Sequence, residues 1–215
     1  MYKTVVFDMD GTILDTLEDM KICINAALAE EGFPERTLDE VRRFVGNGNH
    51  KLAERAVPAG TSDEKVEAVF QGFHRQYKVH CGDHTRPYAG VTELIRHLRE
   101  AGIRTAVVSN KADYGVQALC EDWFPGLFDA QAGEKEGIRR KPAPDGVWAV
   151  MAEIGARKDS TVYIGDSEVD IETAKNAGIP CISVSWGFRD EAFLKQHGAS
   201  VIVHTTNELE SMLLK

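Results

Sequence analysis

Short apolar runs alternate with amphipathic segments of helical length along most of the chain. The first run, residues 5–7, ends at Asp8. Five more runs have the pattern of short buried strands, at residues 104–109, 128–133, 161–165, 181–186 and 200–204. Helical patterns that close at a glycine lie between them, at residues 91–102, 144–155 and 169–178. This alternation predicts an α/β fold with a doubly wound, Rossmann-like parallel sheet.

The segment from residue 16 to 84 departs from this alternation, because it contains helical patterns and no strand pattern. Two threonine–glutamate pairs in it have the spacing of capping boxes at helix starts. These pairs are Thr37 with Glu40 and Thr61 with Glu64. The sequence therefore predicts an α-helical cap domain at residues 16–84, inserted into a core domain formed by residues 1–15 and 85–215.

Composition narrows the class of protein. The 215 residues are 43% hydrophobic, and 34 acidic against 25 basic residues give a formal charge of -9. This balance disfavours a surface for phosphate backbones, so we expect no nucleic-acid partner. The opening residues show neither a signal peptide nor a bilayer-spanning run, so we expect a cytoplasmic protein with no membrane partner. Four well-separated cysteines without a C-x-x-C pair predict free thiols.

Polar side chains cluster where three of the predicted strands end. Asp8 and Asp10 follow the first strand, Ser109 and Asn110 the second, and Asp166 the strand at 161–165. Asp170 comes one helical turn after Asp166. Because ligands of open parallel sheets bind beyond the carboxyl ends of the strands, we expect these groups to share one site.

Carboxylates crowded at one site repel each other unless a cation lies between them. Magnesium prefers oxygen ligands and uses few protein carboxylates, and the pair Asp8 and Asp166 matches that preference. A bound cation also attracts a phosphate and offsets its charge. The predicted cofactor is Mg²⁺, and the predicted partner is a small phosphorylated metabolite.

Four motifs in order make the chain resemble the haloacid-dehalogenase-like hydrolases. They are "DMDGT" at residues 8–12, the apolar strand that ends at Ser109, Lys141 within "RKPAPD", and "GDSEVD" at residues 165–170. Taken alone, each motif also fits a turn, a cap or a solvated charge. Together they cover nearly the whole chain, and the resemblance implies a phosphatase with an α/β core and a helical cap.

The resemblance also implies residue roles. Asp8 would be the nucleophile that forms an aspartyl-phosphate, and Asp10 would act first as acid and then as base. Thr12 would orient the first motif, and Lys141 would neutralise charge on the nucleophile and the phosphate. The phosphate would be bound by Ser109 and the amide of Asn110. The implied metal ligands are Asp8, the backbone carbonyl of Asp10, Asp166 and, directly or through water, Asp170.

The segment "GNGNHKLAERAV" (46–57) resembles the cap segment of phosphoglycolate phosphatases. Gly46, Asn47 and Gly48 could present backbone amides to a small acid, and Lys51 or Arg55 could pair with its carboxylate. An equally simple interpretation is a helix start with two solvated charges. The substrate expected from this resemblance is 2-phosphoglycolate.

Several alternatives stay open at this point. Within the same superfamily they are a pyrophosphatase, a sugar-phosphate phosphatase and a phosphomutase. Dehalogenating members lack the second aspartate, and here Asp10 is present. The non-enzyme alternative is a receiver-like domain, which holds an aspartyl-phosphate as a signal. The sequence does not indicate the oligomeric state.

Overall fold

The computed structural model describes residues 1–46 and 48–215. The chain divides into two compact units. The α/β unit comprises Met1–Leu14 and Pro87–Lys215, and the helical unit comprises Asp15–Arg86. The boundaries between these units lie at residues 14/15 and 86/87, and the sequence pattern predicts domain boundaries at residues 15/16 and 84/85.

The described residues form eight strands and ten α-helices. The strands are β1 (Thr4–Phe7), β2 (Leu14–Asp15), β3 (Arg86–Pro87), β4 (Arg104–Ala112), β5 (Ala130–Glu134), β6 (Thr161–Gly165), β7 (Cys181–Val184) and β8 (Ile202–Val203). The helices are α1 (Leu17–Glu30), α2 (Leu38–Phe44), α3 (Asn49–Ala56), α4 (Asp63–His80), α5 (Val91–Glu100), α6 (Asp113–Trp123), α7 (Asp145–Glu153), α8 (Glu168–Ala177), α9 (Glu191–Gln196) and α10 (Thr206–Leu213). Among these described helices, none combines the length and the apolarity needed to cross a membrane.

A six-stranded parallel sheet forms the centre of the α/β unit, in the order β5-β4-β1-β6-β7-β8. From β1 the chain adds β4 and β5 on one side, and it then returns to add β6, β7 and β8 on the other. The order therefore reverses between β1 and β6, which is where open α/β sheets bind ligands. The predicted α/β fold class is confirmed.

Alternate residues of β1 face opposite sides of this sheet. Val5 and Phe7 join a buried cluster with residues of α5, α6 and α10. Val6 joins a second cluster with residues of α7 and α8. Because both faces are covered, Val5, Val6 and Phe7 are buried on either side of the sheet, which explains the unbroken apolar run of β1.

In the helical unit, α1 packs against α4, and α2 and α3 complete the bundle. The predicted capping box of α2 is present, with Glu40 N donating to Thr37 Oγ1 and Thr37 N donating to Glu40 Oε2. The second predicted capping box is wrong. The N-cap residue of α4 is Ser62, whose side chain makes no capping hydrogen bond, and the Thr61 hydroxyl donates to the carbonyl of Pro58 at 2.7 Å. A turn bond thus competes with the cap for the threonine.

A buried aspartate ties the start of α1 to the end of the helical unit. Asp19 is 1% exposed and lies in the first turn of α1. Its carboxylate accepts the backbone N–H of His84 at 2.9 Å and of Thr85 at 2.8 Å. It also accepts the Thr85 hydroxyl at 2.8 Å and pairs with His84 Nδ1 at 2.9 Å. Each oxygen of this acid is therefore satisfied.

Candidate active site

Three buried acids meet at the point where the strand order reverses. Asp8 follows β1, Asp166 follows β6, and Asp170 lies in the first turn of α8. Each offers a carboxylate oxygen, and these oxygens lie within 4.8 Å of one another. The sequence-predicted metal ligands of the carboxylate type are thus brought together, on the elements from which they were expected.

Burial and mutual repulsion raise the pKa of two of these three carboxyl groups. Burial, and next the charge of Asp170, raise the pKa of Asp8 well above its ordinary value. The same two causes raise the pKa of Asp166 to about 7. A nearby cation would stabilise the charged form of these buried carboxylates.

Lys141 supplies one positive charge to this cluster. Its buried ammonium lies 2.7 Å from Asp8 Oδ1, 2.7 Å from Asp170 Oδ1 and 3.1 Å from the hydroxyl of Tyr163. Burial disfavours the ammonium, but the carboxylates of Asp170 and Asp8 outweigh it and raise the pKa of Lys141. Its three N–H groups thus meet three acceptors, and Lys141 stays charged.

The main chain of Lys141 is fixed by a neighbour in the same site. The side chain of Asn110 accepts from Lys141 N at 2.7 Å and donates to Lys141 O at 3.0 Å. The sequence assigned the phosphate contact of Asn110 to its backbone amide. The side-chain bonds leave that amide assignment untouched and add a second role, which is to hold the lysine segment against β4.

Asp8 is held by one oxygen and offers the other. Its Oδ1 accepts the backbone N–H of Met9 at 2.6 Å and pairs with Lys141. Within residues 1–46 and 48–215, no hydrogen bond reaches Asp8 Oδ2. A carboxylate that is fixed through one oxygen and open at the other suits a nucleophile.

Asp170 is more fully engaged than the other two acids. Its Oδ1 contacts Lys141 at 2.7 Å and the Tyr163 hydroxyl at 3.3 Å. Its Oδ2 accepts from Ser167 N at 3.1 Å and from the Ser167 hydroxyl at 2.6 Å. Four contacts occupy the lone pairs of this carboxylate, so its geometry favours holding Lys141 over direct metal ligation.

Asp166 is anchored from two loops. The Thr12 hydroxyl donates to its Oδ1 at 3.2 Å, and the backbone N–H of Phe188 donates to its Oδ2 at 2.6 Å. Gly11 and Gly187 both lie so close to Asp166 that a Cβ at either position would collide with its carboxylate. Gly11 also has a φ of 85°, which favours glycine. Thr12 of the first motif therefore contacts the acid of the fourth motif.

Asp10 lies beside this cluster with partners of its own. The hydroxyl of Ser109 donates to Asp10 Oδ2 at 3.3 Å, and Lys111 Nζ lies 3.0 Å from Asp10 Oδ1. Lys111 N donates in turn to the Ser109 hydroxyl at 3.1 Å. Ser109 and Asn110 lie within β4, which runs on to Ala112 with an irregular register, and not beyond its end as the apolar pattern predicted.

The remaining candidate residues belong to the helical unit and are described within it. Gly46 and Gly48 have φ angles of 121° and 87°, which side chains rarely adopt. Asn47 lies outside the described residues. Lys51 pairs with Glu54 at 2.6 Å on the exposed side of α3, and Arg55 donates to the carbonyl of Phe44 at 2.7 Å.

Sequence reasoning missed two residues that contact the site groups. From the sequence alone, Tyr163 would be interpreted as one more core residue of β6. Lys111 would be interpreted as a solvated charge after the "SN" pair. Periodicity alone could not separate Tyr163 from its apolar neighbours. The apolar strand pattern ends at Ser109, two residues before Lys111, so no sequence signal indicated that this ammonium is buried.

Comparison with known proteins identifies the family of this chain. The family model described as haloacid dehalogenase-like hydrolase matches residues 5–184. The chain belongs to the haloacid dehalogenase-like hydrolases. The resemblance drawn from the four motifs is confirmed, and this hydrolase is an enzyme, as predicted.

Individual relatives of this hydrolase cover most of its length. The phosphoglycolate phosphatase of Caulobacter vibrioides is 34% identical over 206 residues, which are 94% of this chain and 86% of the relative. That of Cereibacter sphaeroides is 36% identical over 189 residues, which are 86% of each chain. A crystal structure from Lactobacillus delbrueckii subsp. bulgaricus, of a candidate phosphoglycolate phosphatase, has a TM-score of 0.95 at 39% identity and covers 99% of this chain and 98% of its own.

Proposed function

We propose that this hydrolase is a Mg²⁺-dependent phosphatase that cleaves 2-phosphoglycolate through an aspartyl-phosphate intermediate. The observation that carries the proposal is Asp8, a buried carboxylate that Lys141 holds at Oδ1 and that is open at Oδ2. It stands in a cluster of acids beside a second aspartate, Asp10. The phosphoglycolate phosphatases among the relatives support the choice of substrate.

The donor set fits magnesium. All three acids of the cluster offer carboxylate oxygens, the ligand type that Mg²⁺ prefers. The raised pKa values of Asp8 and Asp166 reflect a repulsion that a divalent cation would remove. We assign Asp8, Asp166 and the backbone carbonyl of Asp10 as ligands, and Asp170 as the group that positions Lys141. When bound, Mg²⁺ offsets the charge of the phosphate and of Asp8.

The chain's own residues then account for two steps of phosphoryl transfer. In the first, Asp8 Oδ2 forms a bond to phosphorus while the bond from phosphorus to the ester oxygen breaks. The leaving oxygen takes the electron pair and receives a proton from Asp10. In the second, a water oxygen attacks phosphorus and gives a proton to Asp10. The bond between Asp8 and phosphorus breaks, which releases inorganic phosphate and restores the carboxylate.

Three groups bind the phosphate in this proposal. The Ser109 hydroxyl and the backbone amide of Asn110 donate to phosphate oxygens. Lys141 acts chiefly through its charge, because its three N–H groups already meet Asp8, Asp170 and Tyr163. Its contact with the neutral Tyr163 hydroxyl is the weakest of the three and is the one to exchange for a phosphate oxygen.

For the helical unit we propose the role of a cap that selects the substrate. Gly46 and Gly48 have positive φ angles, and with Asn47 they are the proposed contacts for the acid end of the substrate, through their backbone N–H groups. Lys51 is the proposed partner of its carboxylate and would exchange Glu54 for the substrate. The alternative role of Lys51, a surface ion pair, predicts no effect of Lys51→Ala on the KM for 2-phosphoglycolate.

A phosphate-release assay tests the proposed function. Purified protein is given 2-phosphoglycolate, pyrophosphate, hexose phosphates or p-nitrophenyl phosphate, each with Mg²⁺ and with EDTA. We expect turnover that depends on Mg²⁺, with the highest kcat/KM for 2-phosphoglycolate. Higher kcat/KM for pyrophosphate or a hexose phosphate would move the assignment to that substrate class.

The same assay separates an enzyme from a phospho-acceptor. A receiver-like domain would take up one phosphoryl group on Asp8 and release it slowly. In the proposed mechanism Asp10 assists release of this group, so we expect many turnovers per chain. Accumulation of phosphoprotein without turnover would contradict the proposed phosphatase.

A further inference from the structure

Lys111 is one of two lysines buried in the α/β unit, at 5% exposure, and the four sequence motifs give it no role. A buried ammonium is stable only when it is paired. One partner is Asp10, whose Oδ1 lies 3.0 Å from Lys111 Nζ. The other buried lysine, Lys141, cannot take this place, because its three N–H groups meet Asp8, Asp170 and Tyr163.

The position of Lys111 is set along its whole length. Its backbone N–H donates to the Ser109 hydroxyl at 3.1 Å. Its aliphatic stem lies against α6, where a Cβ added to Gly115 would come within 3.3 Å of Lys111 Cδ and 3.4 Å of Cγ. The glycine leaves room for the stem, and the stem leads the ammonium to Asp10. A side chain fixed at both ends loses little further entropy when it holds another group.

The two oxygens of Asp10 have different partners. Oδ1 faces Lys111, and Oδ2 accepts the hydroxyl of Ser109 at 3.3 Å. The contact at Oδ1 is an ion pair without a hydrogen bond. The positive charge of Lys111 favours negative charge on Oδ1, which leaves Oδ2 as the oxygen that exchanges protons. Oδ2 is also the oxygen on the side of Ser109, which the proposed function assigns to the phosphate.

Substrate binding changes this arrangement in one respect. The Ser109 hydroxyl has a single proton, and a phosphate oxygen that receives it takes it away from Asp10 Oδ2. Asp10 then keeps Lys111 as its remaining partner of the two. Without Lys111 the carboxyl group would be free to rotate away from the ester oxygen, and misplacement by about 1 Å costs roughly 100-fold in rate.

We propose, as an inference that rests on the proposed phosphatase function, that Lys111 is a positioning residue for Asp10. It holds Oδ1 and so directs Oδ2 at the oxygen of the leaving group. Its loss impairs proton donation to that oxygen and spares steps that need no proton.

Two esters with different leaving groups test this. An alkyl ester such as 2-phosphoglycolate needs a proton on its leaving oxygen, whereas p-nitrophenolate leaves without one. The quotient kcat/KM covers the steps up to departure of the leaving group, and hence excludes the later hydrolysis. We expect Lys111→Met to lower kcat/KM about 30-fold or more for the alkyl ester and only about 3-fold for p-nitrophenyl phosphate, given what general acids contribute.

Three further variants serve as controls for this experiment. Lys111→Gln keeps an N–H donor and recovers part of the alkyl-ester rate. Gly115→Ala crowds the stem of Lys111 in a helix that tolerates alanine, and it shows the same ester discrimination more weakly even where Lys111→Met folds poorly. Lys195→Met removes an exposed lysine of α9 and leaves both rates at the wild-type level.

Asp10→Asn supplies the last comparison. Because Lys111 acts through Asp10, adding Lys111→Met to Asp10→Asn should lower kcat/KM for the alkyl ester less than about 3-fold further, a non-additive result. Equal losses on both esters, or losses that multiply in the double variant, would overturn the positioning role.

Failure of the substrate assignment gives a different pattern. If wild-type protein cleaves glycerol phosphate and not 2-phosphoglycolate, the substrate proposal falls and the ester comparison is made with glycerol phosphate. Wild-type protein that cleaves no phosphate ester overturns the proposed function and the role of Lys111 together.

Discussion

The helical unit contains a buried aspartate, Asp19, and its surroundings differ from those of Asp8 and Asp166 in the α/β unit. In the helical unit, Asp19 accepts hydrogen bonds from the main chain and side chains of His84 and Thr85. In the α/β unit, Asp8 and Asp166 face each other and Asp170, and the pKa of both is raised by burial first and by Asp170 second. Burial is nearly the same in the two places, and the supply of donors differs.

This difference separates stability from chemistry. An acid that is surrounded by N–H and O–H donors stabilises the fold, and its removal leaves those donors unsatisfied. Acids with few hydrogen-bond donors around them need a cation. Their mutual repulsion lowers the stability of the folded chain, and this cost is tolerated because the acids serve the function. The same residue type at the same depth therefore predicts a loss of folding in one unit and a loss of catalysis in the other.

The largest expected effect is that of Asp8→Asn on the rate. The amide cannot attack phosphorus, so phosphate release should fall by at least about 10³-fold. The Tm of the metal-free variant should equal or exceed that of the wild type, because one repelling charge is gone. Initial rates and thermal unfolding of the same preparation give both quantities, and near-native rates would refute the assigned nucleophile.

The sequence could predict the acids of the candidate active site but not the buried acid of the helical unit. Asp8, Asp166 and Ser109 could be placed at one edge because apolar strands lead directly into them. Asp19 could not be recognised, since its donors lie 65 and 66 residues further along the chain.

The same limit explains the other misses in the site. Tyr163 contacts Lys141, which lies 22 residues earlier in the chain. Lys111 contacts Asp10, from which it is separated in sequence by the whole helical unit. Local periodicity reports which face of a strand is buried, but it does not report which polar atom lies opposite. Thr61 failed for the converse reason, because a nearby carbonyl competes for its hydroxyl.

The second prediction concerns stability in the helical unit. Asp19→Ala leaves the N–H groups of His84 and Thr85 and the Thr85 hydroxyl without their acceptor. Several unsatisfied donors should lower the Tm by roughly 5–15 °C for a chain of this length. Asp19→Asn, which keeps one acceptor oxygen, should lose less, and calorimetry checks both. A Tm within a degree of the wild type would show that the donors find other partners.

The third prediction uses the pKa of Asp166, which burial and Asp170 raise from 3.8 to about 7. Between these two values the folded chain binds more protons than the unfolded chain, so this group makes stability fall as pH rises. Asp166→Asn removes the titration. In EDTA, the variant should therefore gain several degrees of Tm relative to the wild type between pH 5 and pH 8.

Added Mg²⁺ provides the control for this pH effect. It should raise the Tm of the wild type at pH 8, where the carboxylate is ionised, more than the Tm of Asp166→Asn. A wild-type Tm that gains on the variant with rising pH in EDTA would reverse the sign and contradict a raised pKa.

The smallest expected effect on stability is that of removing the ion pair of Glu18, the residue before Asp19. Glu18 pairs with Lys21 at 2.6 Å on the partly exposed side of α1, so the two neighbouring acids differ in burial and in partners. Exposed pairs one helical turn apart contribute about 0.5 kcal/mol or less. A double-mutant cycle of Glu18→Ala and Lys21→Ala, followed by urea unfolding, should give a coupling of that size, which falls further in salt. A coupling as large as the loss in Asp19→Ala would mean that ion pairing, and not the number of donors around a buried acid, determines stability in the helical unit.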